Sequence, residues 1–185
     1  PYEELVHVPL MMHIPGVEGG KRIKGFVQNV DIAPTILEAL GYLDDLGAQG
    51  GAFGFPVFGA MDMQGHSLLP MVRGEVEKVR DFAIAGYFGM SWSIITEDYT
   101  YIHWLLKNST QNDVVKARHA GHDIMEDEAI WTCTVGARQD VPDEDELYDR
   151  RKDQFQLNNI IKEQPEKAGE LLKQLKLYIG ELKTL

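Results

Sequence analysis

The chain has 185 residues, 44% hydrophobic and 25% charged, enough for one ordinary domain or a domain with a small appendage. Its 18 basic and 29 acidic residues leave a net charge of -11, which excludes the basic stripe a nucleic-acid surface needs to release counterions from phosphates. The single cysteine, Cys133, excludes an intrachain disulfide and a multi-cysteine zinc site, and no apolar run is long enough to span a membrane.

Residues 5–14 read as a strand with bulky apolar residues on both faces, as in the interior of an α/β sheet. Pro9 falls inside it and argues for a bulge, an edge or two pieces. A Pro-Gly turn follows, then a second short strand over 24–30. "DIAPTILEALG" predicts a helix. Asp31 suits its N-terminal cap, Pro34 its first turn and Gly41 its stop, with Ile32, Ile36, Ala39 and Leu40 as a buried stripe. Residues 43–65 are glycine-rich with interleaved Phe and Met and predict a loop. "SLLPMVRG" predicts a short helix capped by Ser67 and stopped at Gly74.

The texture then becomes β-rich. "DFAIAGYF", "SWSIITED" and "YTYIHWLL" predict an antiparallel meander, and "DELYDRR" a fourth strand. Between them, residues 107–141 are polar and rich in His and Asp, which suggests an insertion or loop. Residues 165–185 predict an amphipathic helix. Pro165 starts it, and Ala168, Leu171, Leu172, Leu175, Ile179 and Leu182 line one face. The layout is a strand-helix piece to about residue 74, followed by a roughly four-stranded antiparallel sheet packed by a long C-terminal helix. The second part forms an α+β sandwich. The first has too few strands to close an α/β sheet by itself.

No active site assembles from these residues. Ser67 lacks the glycine two positions later that a nucleophile elbow requires. Cys133 has no basic neighbour in sequence to form a thiolate. His7 and His13 would lie roughly 20 Å apart along a strand, too far to share an ion. His119 and His122 would share a helix face with Glu126, a donor set zinc accepts. The polarity of their surroundings favours a solvated charged loop instead. The acidic run 140–149 has neither the glycine nor the distal Glu of a calcium loop and reads as a solvated lead-in to the last strand. "GAQGGAFG" is not followed by the Lys and Ser or Thr of a P-loop.

Four pieces in order nevertheless resemble the sulfatase family of the alkaline-phosphatase superfamily. They are "YEELVHVPLMMHIPG", "VQNVDIAPTILEALG", "GHSLLPMVRG" and "ELYDRRKDQFQLNNI". The resemblance covers nearly the whole chain and implies the C-terminal portion of such a protein. It makes residues 1–74 the end of the large α/β catalytic domain and 75–185 a small α+β subdomain with an insertion at 107–141. It implies a parent that hydrolyses small sulfate-ester substrates with calcium and a formylglycine, with the rest of the parent chain as partner. Cys133 is followed by Thr134-Val135-Gly136-Ala137 and does not match the modified motif, so no cofactor and no catalytic residue is assigned to this chain.

His7 stands where the family often has Arg, and the loop from residue 44 to 65 is longer than the usual connection. Such loops shape substrate pockets in the family, which makes His66, Tyr87 and Trp92 pocket candidates. Space-filling is the reading favoured for the aromatics. Two other readings stand beside this one: a phosphatase or phosphonate hydrolase of the same superfamily, and a non-catalytic module that binds a partner or self-associates. The resemblance leaves a periplasmic, secreted or cytoplasmic parent open, and no nucleic acid or membrane is expected as a partner.

Overall fold

In the computed structural model, residues 2–42, 64–87, 91–105 and 142–182 are described. They fall into two compact units, Pro1–Val8 with Ile84–Thr184, and Pro9–Ala83. Among the described residues, no helix is long and apolar enough to cross a membrane.

The expected meander forms the first unit. Strands β1 (Ala83–Tyr87), β2 (Ser91–Ile95), β3 (Tyr99–Trp104) and β4 (Glu146–Asp149) build one sheet in the order β1-β2-β3-β4. β3 is antiparallel to both β2 and β4. The β2–β3 turn closes on Thr96, whose N–H donates to the Tyr99 carbonyl at 2.8 Å and whose hydroxyl oxygen accepts from the Tyr99 N–H at 3.1 Å. The register sets Ser91 opposite Trp104, Trp92 opposite His103 and Ile95 opposite Thr100. On the other side, Tyr101 faces Leu147 and Ile102 faces Glu146.

Side chains alternate across a strand, so this register sorts the sheet into two faces. Trp92, Ile94, Tyr99, Tyr101, His103, Leu147 and Asp149 share one. The long helix lies on that face, here α4 (Pro165–Leu182), since the Lys167 ammonium stands 5.9 Å over the Tyr99 ring. The predicted stripe on α4 buries Ala168, Leu171 and Leu175. With Ile94, Tyr101 and Leu147 they form the core, each large side chain stabilising the fold by roughly 1.5–3 kcal/mol. The opposite face carries Ser91, Ser93, Ile95, Thr100, Ile102, Trp104, Glu146 and Tyr148. The Tyr2 ring meets Tyr148 there edge-on at 6.3 Å.

β4 is an edge strand, and the chain covers its open side with residues 159–161. The Ile160 N–H donates to the Leu147 carbonyl, and the Asn159 side chain accepts from the Leu147 N–H at 3.0 Å and donates to the Asp145 carbonyl at 3.3 Å. This satisfies backbone groups that an exposed edge would leave open to another chain.

The strand expected over 5–14 does not form. Residues Glu3–Val6 make a single helical turn, α1, and residues 7–14 carry no regular structure. Glu3 and Glu4 in the first turn favour a helix start, and Pro9 withholds a ladder donor. α1 is capped from a distance: the Glu3 N–H donates to the side chain of Gln156, a buried residue held at φ 54°. Arg150 pairs with the Glu3 carboxylate at 2.9 Å.

The second unit is organised by Asp31, which is completely buried. The expected strand over 24–30 is instead an irregular run ending in a 3-10 turn, Asn29–Asp31, followed by α2 (Ile32–Ala39). Asp31 does not cap α2 with its side chain. Its Oδ2 accepts from the Gln28 N–H at 2.7 Å, and its Oδ1 accepts from the His66 N–H at 2.9 Å and pairs with the Arg80 guanidinium. Thr35 extends the network by donating to the Asp31 carbonyl and accepting from the Leu68 N–H at 2.9 Å. Gly65 must be glycine, because a Cβ there would come within 1.9 Å of the Val30 carbonyl oxygen. The next helix, α3 (Leu69–Arg73), ends as predicted at Gly74, with φ 80°. Gly41 stops α2 in the same left-handed conformation.

The stripe expected to be buried on α2 is not. Ile32, Ile36 and Leu40 are exposed, and Pro34 and Thr35 are the buried residues. The Asp31–Thr35–Leu68 bonds turn the polar side of the helix inward.

Removing Asp31 strands a buried guanidinium and two amides. Asp31→Ala is therefore expected to cost about 3–5 kcal/mol, and Gly65→Ala upwards of about 2 kcal/mol through backbone displacement. Urea unfolding followed by far-ultraviolet circular dichroism measures both. A loss under about 1 kcal/mol for Asp31→Ala, within the range of an ordinary surface change, would show that the hub is not needed.

Candidate functional site

The pocket candidates singled out from sequence belong to both units. His66 is exposed in the second unit and anchored through its backbone N–H on Asp31. Trp92 is half-buried on β2 of the first unit. Tyr87 ends β1, and its side chain lies outside the description. His119, His122, Glu126 and Cys133 lie outside the described residues.

The acidic run that read as solvated behaves differently. Asp145 and Glu146 are both buried, at 8% exposure each. Being adjacent in sequence, they point to opposite faces of the sheet. Asp145 lies just beyond the last ladder pair and takes over its work. Its Oδ1 accepts the Trp104 N–H at 2.9 Å, and its Oδ2 accepts the Tyr101 hydroxyl at 2.7 Å and meets His103 Nδ1 at 3.1 Å. Burial, then the bond to Asp145, pushes the Tyr101 hydroxyl well above its usual range. Sequence reasoning missed Asp145, Glu146 and His103. The usable signal was alternation: carried back from Leu147, the β4 pattern puts Asp145 on the Tyr101 face.

On the other face Glu146 meets aromatic donors. The Tyr2 hydroxyl donates to its Oε1 at 3.2 Å. Burial raises the Glu146 carboxyl above its ordinary value, although the Trp104 indole and the Tyr2 and Tyr148 hydroxyls turned toward it favour the anion. Burial first, then the Glu146 charge, pushes Tyr2 up to about 12. The same two causes raise Tyr148.

A third carboxylate, Asp149, has the opposite environment. Arg151 reaches it through Nε at 3.0 Å, lies over the Tyr99 ring at 5.2 Å, and holds the Asp149 carboxyl below its usual range. Arg151 is raised by the same bond. The cations on this surface are matched to anions: Arg151 to Asp98 and Asp149, Lys167 to Glu170.

These three environments hold a strap, a histidine and an edge in place. Among the described residues no three His, Cys, Asp or Glu side chains converge to hold a metal, so the calcium expected in the parent finds no fit in them.

One face of the sheet carries the Tyr-Glu strap, and Asn159 closes the Glu-Leu-Tyr-Asp strand. The chain belongs to the N-sulphoglucosamine sulphohydrolase C-terminal family, whose model matches residues 1–130. It is 37% identical over 73 residues to human N-acetylglucosamine-6-sulfatase, a stretch that is 40% of this chain and 11% of that protein. A structure described as in complex with its substrate D-glucosamine-2-N,6-O-disulfate shares 23% identity at a TM-score of 0.49, over 84% of this chain and 24% of that one. Another, from glycosaminoglycan metabolism in Bacteroides thetaiotaomicron, shares 19% identity at a TM-score of 0.46, over 80% of this chain and 24% of that one. The match thus spans about a tenth of the length of that relative.

Glu146 makes the stability of the first unit depend on pH. Its folded-state value is raised, so the folded chain holds this proton to a higher pH than the unfolded chain does. The stability it contributes is complete below the ordinary value of 4.5 and is lost as pH rises through the folded value. Asp149 works in the other direction. Its contribution is present above the ordinary 3.8 and is lost as pH falls through its lowered value. Glu146→Gln keeps an acceptor for Tyr2 and cannot ionise. Its urea midpoint is expected to match that of the wild type near pH 4 and to exceed it near pH 8. An equal difference at both pH values would show that the Glu146 charge is not what folding resists.

Proposed function

We propose that this chain is the C-terminal part of an enzyme that hydrolyses sulfate esters or sulfamates of amino sugars. The observation that carries this reading is the family match over residues 1–130. Identity to the N-acetylglucosamine-6-sulfatase over 73 residues supports the same substrate class. In this reading residues 1–74 complete the large catalytic domain and 75–185 form the small subdomain. The formylglycine and calcium act in the rest of the parent chain, since no residue here matches the modified motif.

The second unit supports a role completed by further protein. Leu10, Met11, Met12, Ile32, Ile36 and Leu40 are exposed, and Met11 is 90% exposed. Its buried apolar side chains include only Leu68, Leu69 and Met71 among the larger ones described. So much uncovered apolar surface marks an interaction face. The remainder of the parent is the partner proposed for it. Without that partner, self-association through the same face is the expected behaviour.

Expression of the full-length gene tests the activity. The full-length protein should release sulfate from N-sulfoglucosamine or N-acetylglucosamine-6-sulfate, and the 185-residue chain should release none with calcium added. Turnover by the short chain, or a full-length protein that cleaves only phosphate esters, would overturn the reading. Sedimentation of the short chain should show association that rises with concentration and weakens in Ile36→Asp. A monomer at all concentrations would remove the apolar face as a docking surface.

A further inference from the structure

The first unit leaves apolar side chains uncovered in one neighbourhood. Leu5 is 65% exposed, Phe155 62% and Leu157 78%. Leu5 belongs to α1, and Phe155 and Leu157 to the loop that follows β4. One bond joins the two stretches. It runs from the Glu3 N–H to the side chain of Gln156, the residue between Phe155 and Leu157.

The loop is built to present these side chains. Asp153 ties it down: Oδ1 accepts from the Leu157 N–H at 3.0 Å, Oδ2 from the Asn158 N–H at 2.7 Å, and the carbonyl from the Gln156 N–H at 3.2 Å. Gln156 turns inward and is buried, at a φ of 54° that residues with a Cβ seldom adopt. The polar residue is inside and its two apolar neighbours are outside, the reverse of the usual sorting.

The strap that Gln156 caps is pinned at further points. The Tyr2 hydroxyl donates to Glu146 at 3.2 Å, and Arg150 donates to the Glu3 carboxylate at 2.9 Å and to the Thr96 carbonyl at 2.7 Å. The strap cannot leave the loop without breaking these bonds. Whatever precedes Tyr2 therefore enters beside Phe155 and Leu157, because consecutive Cα atoms are only about 3.8 Å apart.

We propose that Leu5, Phe155 and Leu157 form a docking face for the segment of the parent chain that immediately precedes Tyr2. This rests on the reading of the chain as the C-terminal part of a longer enzyme. The segment that fits is apolar, since burying a Phe and two Leu side chains supplies the driving force. A face this small would not hold a separate molecule. It holds a tethered segment because the covalent link makes the contact intramolecular, at a high effective concentration.

The test compares the 185-residue chain with the full-length parent. Cys133 is replaced by Ser, and Phe155→Cys, Leu157→Cys and Leu177→Cys are made singly in both proteins. Maleimide labelling of each native protein is read peptide by peptide by mass spectrometry. Leu177, 61% exposed on α4, is the control and should label equally fast in both. Labelling at 155 and 157 should slow by about tenfold or more in the full-length protein, the protection a closed contact gives against local opening. Phe155→Asp combined with Leu157→Asp should leave the thermal midpoint of the 185-residue chain in place and lower that of the full-length protein. Equal rates at 155 and 157 in the two proteins, or equal slowing at 177, overturns the proposal. Sulfate release by the full-length protein separates the two readings. Turnover without protection at 155 and 157 defeats this inference alone, and protection without turnover defeats the sulfatase reading instead.

Discussion

A buried carboxylate must be met by donors on every side, and each unit of this chain is built around one. Asp31 is fully buried and gathers the Gln28 and His66 amides and the Arg80 guanidinium, three points far apart in sequence. Asp145 gathers the Trp104 amide, the Tyr101 hydroxyl and the His103 ring. Leaving such an anion short of donors costs several kcal/mol, so the donors cannot drift independently. Loops that would otherwise be defined only by their ends acquire one conformation. Asp31 to Thr35, Gly65 to Leu69, and Glu146 to Asp149 with Asn159 are largely the residues of these networks and of the close contacts beside them.

The sheet separates two kinds of chemistry by alternation alone. Asp145 and Glu146 are neighbours in sequence, yet one faces the helix side and the other the Tyr2 side. The first is met by a backbone amide and a hydroxyl within hydrogen-bond distance. The second meets one long bond from Tyr2 and a largely aromatic wall, and its proton is held more tightly. The same physical rule, that burial opposes charge unless donors repay it, yields an anchoring anion on one face and a carboxyl with a raised affinity for its proton on the other.

The apolar residues of the second unit follow a different logic. A helix normally turns its apolar stripe to its own core. On α2 the bonds from Asp31 through Thr35 to Leu68 direct the other side inward and leave Ile32, Ile36 and Leu40 outside. Hydrogen bonds that cannot be left unmade take precedence over an apolar stripe that further protein can cover.

Local signals were enough for much of this chain. Period-two patterning and turn residues placed all four strands of the sheet, and helical spacing placed α4 with Ala168, Leu171 and Leu175 as its buried face. Gly41 and Gly74 marked helix ends because a left-handed residue is favourable only for glycine. The ordered sulfatase-like segments pointed to the family. What failed depended on partners distant in sequence. The run 5–14 has strand composition, but a strand exists only beside another strand. The acidic run before β4 looks solvated because its donors, Trp104, Tyr101 and Tyr2, lie some forty or more residues away. The sequence by itself determined the elements and their periodicities, since those rest on neighbours within a few residues. Only the tertiary structure decided which carboxylates are buried, which face each one serves and which apolar stripe stays uncovered, because burial and charge are settled by residues that folding alone brings together.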